Sequence, residues 1–82
     1  MRFHVLYFAA VRDLVARDEE TIDAPDDVRT VRDFVGFLAS RHNALEGRMG
    51  SVRIARNERF ADGDEALAEG DVLALIPPVA GG

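Results

Sequence analysis

Val72-Leu73-Ala74-Leu75-Ile76 is apolar on both of its alternating faces: Val72, Ala74 and Ile76 on one, Leu73 and Leu75 on the other. A strand apolar on both sides belongs inside a sheet, and such strands are commonly parallel to a neighbour. Pro77-Pro78 stops it. Near the start of the chain, Phe3-His4-Val5-Leu6-Tyr7-Phe8 has the same character, with Val5 and Tyr7 alternating with Leu6 and Phe8. These are the expected first and last strands, adjacent and parallel at the centre of one sheet.

The stretches between them fill in the rest. Ala9 to Ala16 reads as a short helical turn. Thr21-Ile22-Asp23-Ala24 reads as a second strand, ended by Pro25 and Asp26-Asp27. Thr30 is the N-cap of the one strong helix, with the charge of Asp33 in its first turn. Val31, Phe34, Val35 and Leu38 then fall at i, i+3, i+4 and i+7 and form one apolar stripe. Asn43 or Gly47 closes that region. Val52-Arg53-Ile54-Ala55-Arg56 is a third strand, and Asn57-Glu58, Asp62-Gly63-Asp64 and Glu69-Gly70-Asp71 are turns. The fold class this order predicts is α+β, a ubiquitin-like β-grasp: a mixed sheet with one main helix packed on one face. Residues 1–78 are the expected domain and 79–82 a mobile tail. One helix covers one face, so apolar surface is left over on the other. Phe8, Phe60 and Ile76 are the candidates for it, although all three would suit a core equally well.

Composition narrows the chemistry. Eighty-two residues allow a single domain. There is no cysteine, which excludes a disulfide scaffold and thiol chemistry on a side chain. All ten basic residues are arginine, so no lysine is present to form a Schiff base, carry biotin or accept an isopeptide. A net charge of −5 argues against nucleic acid as a partner. The longest apolar run, Phe3 to Val11, is too short to cross a bilayer and lacks signal-peptide flanks, so no membrane is expected and the location is cytoplasmic. His4 and His42 have no ligand at metal-binding spacing and read as structural or solvated; no metal site is expected. Ser40 and Ser51 stand in no nucleophile elbow. Asp62, Asp64 and Glu65 around Gly63 imitate part of a calcium loop but read as a solvated turn. Arg48, Arg53, Arg56 and Arg59 form a basic run, either a solvent face or a site for an acidic partner or phosphate.

The sequence ends Ile76-Pro77-Pro78-Val79-Ala80-Gly81-Gly82. A frayed tail is the ordinary reading. Here, however, the two prolines fix φ and favour an extended path away from an anchored strand. Val79 and Ala80 can pair with a groove, and Gly81 and Gly82 pass where no side chain fits. This geometry suits a carboxylate delivered into the active site of another protein. An ionised α-carboxyl is a poor electrophile. Adenylation by ATP would activate it, and a sulfur nucleophile displacing AMP would leave a thiocarboxylate.

Leu6-Tyr7-Phe8-Ala9-Ala10-Val11-Arg12-Asp13-Leu14, together with Glu69-Gly70-Asp71-Val72 running into the Gly-Gly ending, resembles the small-subunit family of molybdopterin synthase. Arg56-Asn57-Glu58 is similar to that family's strand-to-turn asparagine segment. The Phe-Ala-x-Val-Arg start separates this group from the shorter thiamine-pathway sulfur carriers. The resemblance implies a β-grasp sulfur carrier with no bound cofactor and no catalytic side chains of its own. It implies that a ubiquitin-activating-type adenylyltransferase uses ATP to adenylate Gly82, that a sulfurtransferase system makes the thiocarboxylate, and that the large catalytic subunit receives the tail. There the sulfur would pass to cyclic pyranopterin monophosphate. By position, Phe8, Arg12, Phe60, Ile76 and Pro78 would face the partner, continued by Val79, Ala80, Gly81 and Gly82. Two departures stand out. Ile76 occupies a position where that family often has an aromatic residue, and the lysine many members carry before the third strand is missing. A ubiquitin-like modifier, or a sulfur donor for tRNA thiolation, would use the same activation. A carrier with phosphopantetheine is disfavoured, since Ser40 follows Ala39 and Ser51 follows Gly50. An interaction module with an inert tail is the further alternative.

Overall fold

The computed structural model describes residues 1–78. Its strands are β1 (Arg2–Tyr7), β2 (Glu19–Asp23), β3 (Arg53–Arg56), β4 (Arg59–Phe60) and β5 (Val72–Ile76), and its helices are α1 (Ala9–Val15) and α2 (Val31–Arg41). The strands form one five-stranded sheet in the order β2-β1-β5-β3-β4. β1 and β5 lie parallel at its centre, with Val5 opposite Leu73 and Tyr7 opposite Leu75. The other pairings are antiparallel, which makes the sheet mixed as expected.

α2 begins where the sequence places it. The Thr30 hydroxyl accepts from the Asp33 amide at 3.2 Å and the Asp33 carboxylate accepts from the Thr30 amide at 3.1 Å, a complete capping box. Val31, Phe34 and Leu38 are buried, and Val35 lies at the margin of the stripe. The Phe34 ring meets Phe3 edge-on, with centroids 5.8 Å apart, so α2 covers the face of the sheet that carries Phe3, Val5, Tyr7, Leu73 and Leu75. The chain between α2 and β3 forms two short 3-10 turns, Asn43–Leu45 and Met49–Ser51, and the first packs against both helices and buries Leu45 in the core.

Three details differ from the sequence reading. β2 starts at Glu19, not Thr21, because its pairing with β1 continues through Glu20–Val5 and Glu19–Leu6. Phe8 leaves the strand to become the N-cap of α1, which is a two-turn helix with Val11 buried. The element after Asn57-Glu58 is a two-residue strand, β4. Asn57 and Glu58 have φ of 50° and 72°. Positive φ at both central residues is what a two-residue type I′ hairpin demands, and it folds β4 back onto β3. Gly70, at φ 83°, makes the turn into β5, and its amide reaches the Arg2 carbonyl at 2.8 Å. Among the described residues no helix is long and apolar enough to cross a membrane.

Replacing Phe34 by alanine empties the contact between the helix and Phe3. The expected loss is about 3 kcal/mol or more, a large share of the stability of so small a domain. Urea denaturation followed by circular dichroism measures it.

Candidate functional site

Alternation along β1 and β5 sends Leu6, Val72, Ala74 and Ile76 to the face away from α2. No element of the described chain covers that face. Leu6 and Ala55 flank Ala74 through the sheet register, so alanines form the middle of the floor. Phe8 rises on one side, 45% exposed, and Phe60 on the other, 56% exposed. The result is a shallow apolar groove of about 250 Å³ bounded by Phe8, Phe60 and Ile76. Two large exposed aromatics around a small-residue floor are unusual on a free surface and typical of one that is covered by a partner. Phe8, Phe60 and Ile76 are thus surface residues, not core. Leu6, Ala55, Val72 and Ala74 join them; the alternation of β1 and β5 was the signal for three of these, and only the register of β3 shows Ala55.

Arg12 does not line the groove. It lies on α1, half-exposed, with Nε 3.7 Å from Asp18 Oδ1. Pro78 is exposed just beyond β5. Val79, Ala80, Gly81 and Gly82 lie outside the described residues.

A buried carboxylate anchors each end of the central strand pair. At the start of β5, Asp71 accepts from Arg56 Nε at 2.7 Å, Asn57 Nδ2 at 2.9 Å and the Ala68 amide at 2.8 Å. Asn57 also takes the place of a strand residue. Its Oδ1 accepts from the Val72 amide at 2.9 Å, and its own amide donates to the Val72 carbonyl at 2.8 Å. Beyond the other end, Glu20 accepts from the Tyr7 hydroxyl at 2.5 Å, Arg17 at 3.0 Å and Arg41 at 3.3 Å, with His42 Nε2 at 2.7 Å. This cluster ties the end of β1 to the C-terminus of α2. His42 is structural, as its sequence setting suggests. His4 Nε2 lies 3.7 Å from Glu19 Oε1. Among the described residues no three histidines or acids come together to hold a metal.

The arginine run divides. Arg56 is engaged by Asp71 and Glu65. Arg53 lies over the Phe60 ring, with Cζ 3.8 Å from its centroid, and holds that ring at the rim of the groove.

A mixed sheet with parallel first and last strands, clasping one main helix and leaving its other face bare, makes this a ubiquitin-like β-grasp protein. The ThiS family model matches residues 5–82, and the chain belongs to the ThiS family. Over its whole length it is 34% identical to the molybdopterin synthase sulfur carrier subunit of Chlamydomonas reinhardtii, all of whose chain is matched. Its fold superposes on SAMP1 of Haloferax volcanii with a TM-score of 0.87, 32% identity and full coverage of both chains. It also matches a chain from the complex of subunits 1 and 2 of the molybdopterin-converting factor of Helicobacter pylori, with a TM-score of 0.71, 25% identity and full coverage of both chains.

Both anchoring carboxyls are held below the ordinary carboxylate range. Burial alone would push each up. The hydrogen bonds from Tyr7, His42 and Arg41 outweigh it at Glu20, and those from Arg56, Ala68 and Asn57 do so at Asp71. A depressed folded value contributes stability that is present above the unfolded value of about 4 and is lost as pH falls through the folded one. Glu20→Gln and Asp71→Asn should therefore lower the urea midpoint at neutral pH, and each variant should lose less stability than the parent on acidification. Parallel acid limbs for parent and variants would refute the assignment.

Proposed function

We propose that this chain is a sulfur carrier, the small subunit of a molybdopterin synthase. The observation that carries the reading is the end-to-end correspondence with relatives of that name, which continues through the Gly-Gly ending. In this reading the folded body is a handle and the Gly82 carboxyl is the reactive group. A ubiquitin-activating-type adenylyltransferase holds the body while the carboxylate attacks the α-phosphorus of ATP and pyrophosphate leaves. The acyl adenylate is an activated mixed anhydride. Sulfide delivered by a sulfurtransferase system then attacks the acyl carbon; the C–S bond forms as the C–O bond to AMP breaks, AMP leaves, and loss of the proton gives the thiocarboxylate. The tail then enters the large catalytic subunit and gives its sulfur to cyclic pyranopterin monophosphate. Two dithiolene sulfurs require two charged carriers per product.

The structure's contribution is positional. Side chains suited to chemistry, such as Glu20, Asp71 and His42, are engaged in holding the fold. The groove of Phe8, Phe60 and Ile76 includes the last residue of β5; in this reading a partner that covers it would also receive the residues beyond Pro78. An adenylating enzyme and a large subunit would use this face in turn. ATP-dependent activation suits a cytoplasmic carrier. A second reading, conjugation to proteins, has one observation in its favour: the neighbour SAMP1 is named a small archaeal modifier protein. Thiolation of tRNA would begin with the same activated tail.

Intact mass after incubation with ATP, the cognate adenylyltransferase and a sulfide source tests the core of the proposal. One oxygen should be replaced by sulfur, and deletion of Gly82 should abolish the gain. An unchanged mass in the intact chain, with an enzyme active on another carrier, would sink it. Phe60→Asp places a charge in the groove and should weaken large-subunit binding by at least about tenfold, since apolar anchors dominate such interfaces. Its melting temperature should stay near the parental value, because Phe60 is exposed. A search for isopeptide conjugates separates the modifier reading.

A further inference from the structure

We infer that Arg53 is a recognition residue of the open face: a cation held at its β3 rim to meet a carboxylate on the protein that covers the groove. The inference rests on the carrier reading above and adds the chemistry and orientation of the large subunit's contact surface.

Arg2, Arg12, Arg17, Arg32, Arg41 and Arg56 are each ion-paired with an aspartate or glutamate. Arg53, like Arg29, Arg48 and Arg59, has no such pairing among the described residues, and of these four it is the one seated on an aromatic ring of the groove. Its guanidinium lies instead on the Phe60 ring, 3.8 Å from the centroid. A guanidinium seated on a ring in this way can still offer its N–H groups to a bidentate carboxylate. Arg53 stands opposite Ile76 in the β3–β5 register, next to the last residue of the strand that leads into the tail. The cation is therefore preorganised at the exit of the groove, beside an anchor that a partner would bury.

The opposite rim carries the other sign. Glu19 pairs with Leu6 across β1 and β2, whereas Asp23, further along the same edge strand, is already paired with Arg2. The apolar centre thus separates the Arg53 cation, with Glu58 lining the same side of the groove, from the Glu19 carboxylate on β2. A surface that meets it must present an acid toward β3. Docked in the reverse sense, it would set like charges against each other, which costs affinity and slows encounter. Arg53 on one side and Glu19 on the other give an otherwise featureless apolar contact a direction.

The test is calorimetric titration of the chain with its cognate molybdopterin synthase large subunit at low and high salt, using Arg53→Leu, Arg53→Lys and Arg53→Glu. Leucine keeps an apolar cover on Phe60 without the charge. Arg53→Glu should lose about tenfold or more in affinity at low salt, Arg53→Leu less and Arg53→Lys least. The charge-removing variants should show a shallower salt dependence than the parent, and melting temperatures should be unchanged. Reversing the charge of one acid on the large subunit should restore binding to Arg53→Glu. Parental affinity and salt dependence in Arg53→Leu would overturn the inference while leaving the carrier reading intact. No binding by the parent would overturn both.

Discussion

The parallel pairing of β1 with β5 is the constraint on which the rest of the molecule depends. It brings segments from opposite ends of the chain together at the centre of the sheet, so every other element must fit in the stretch between. The pairing is supported by the core it seals. Phe3, Val5, Leu73 and Leu75 are fully buried side by side, and Phe34 closes over them from α2. Burial of four such side chains contributes several kcal/mol, on the order of 2 kcal/mol each. Local propensity has little part in this, because parallel neighbours must be joined by a long connection. Here that connection is nearly the whole protein.

Two polar anchors keep the pairing in register, and both solve the same problem. A buried carboxylate is costly unless its oxygens are occupied. Asp71 and Glu20 are each surrounded by donors from several segments, and among the described residues no buried side-chain polar atom lacks a partner. Asn57 shows how the arrangement joins local and long-range order. The residue that makes the left-handed hairpin turn also extends the hydrogen-bonding edge of β3 and donates to Asp71. The Glu20 cluster does for the helix what Asp71 does for the strands. Burial, together with the bond to Glu20, pushes the Tyr7 phenol well above its ordinary value, which keeps it a donor.

Most of the architecture was legible because it rests on period and on strong punctuation. The doubly apolar runs around Val5 and Leu73, the Thr30 cap and the stop at Pro77 each arise from residues close in sequence. The start of β2 was not, because Glu19 and Glu20 are poor strand formers and are drawn into the sheet by tertiary pairing with β1. The meeting of Glu20 with His42 was also hidden, since the two are distant in the chain and neither sits in a recognisable pattern. In the candidate site, Phe8, Phe60 and Ile76 could be named but not assigned to surface or core, because hydrophobicity alone does not tell which face of a strand is covered. Arg53 was visible only as one of four arginines. Its stacking on Phe60 required β4, a two-residue strand below the length at which sequence patterns carry information.

β5 serves two masters in five residues. Leu73 and Leu75 answer to the interior, and Val72, Ala74 and Ile76 answer to whatever lies across the bare face. Because the two sets interleave without sharing neighbours, a lineage can exchange one while keeping the other. What the bare face meets can thus be altered with little risk to folding.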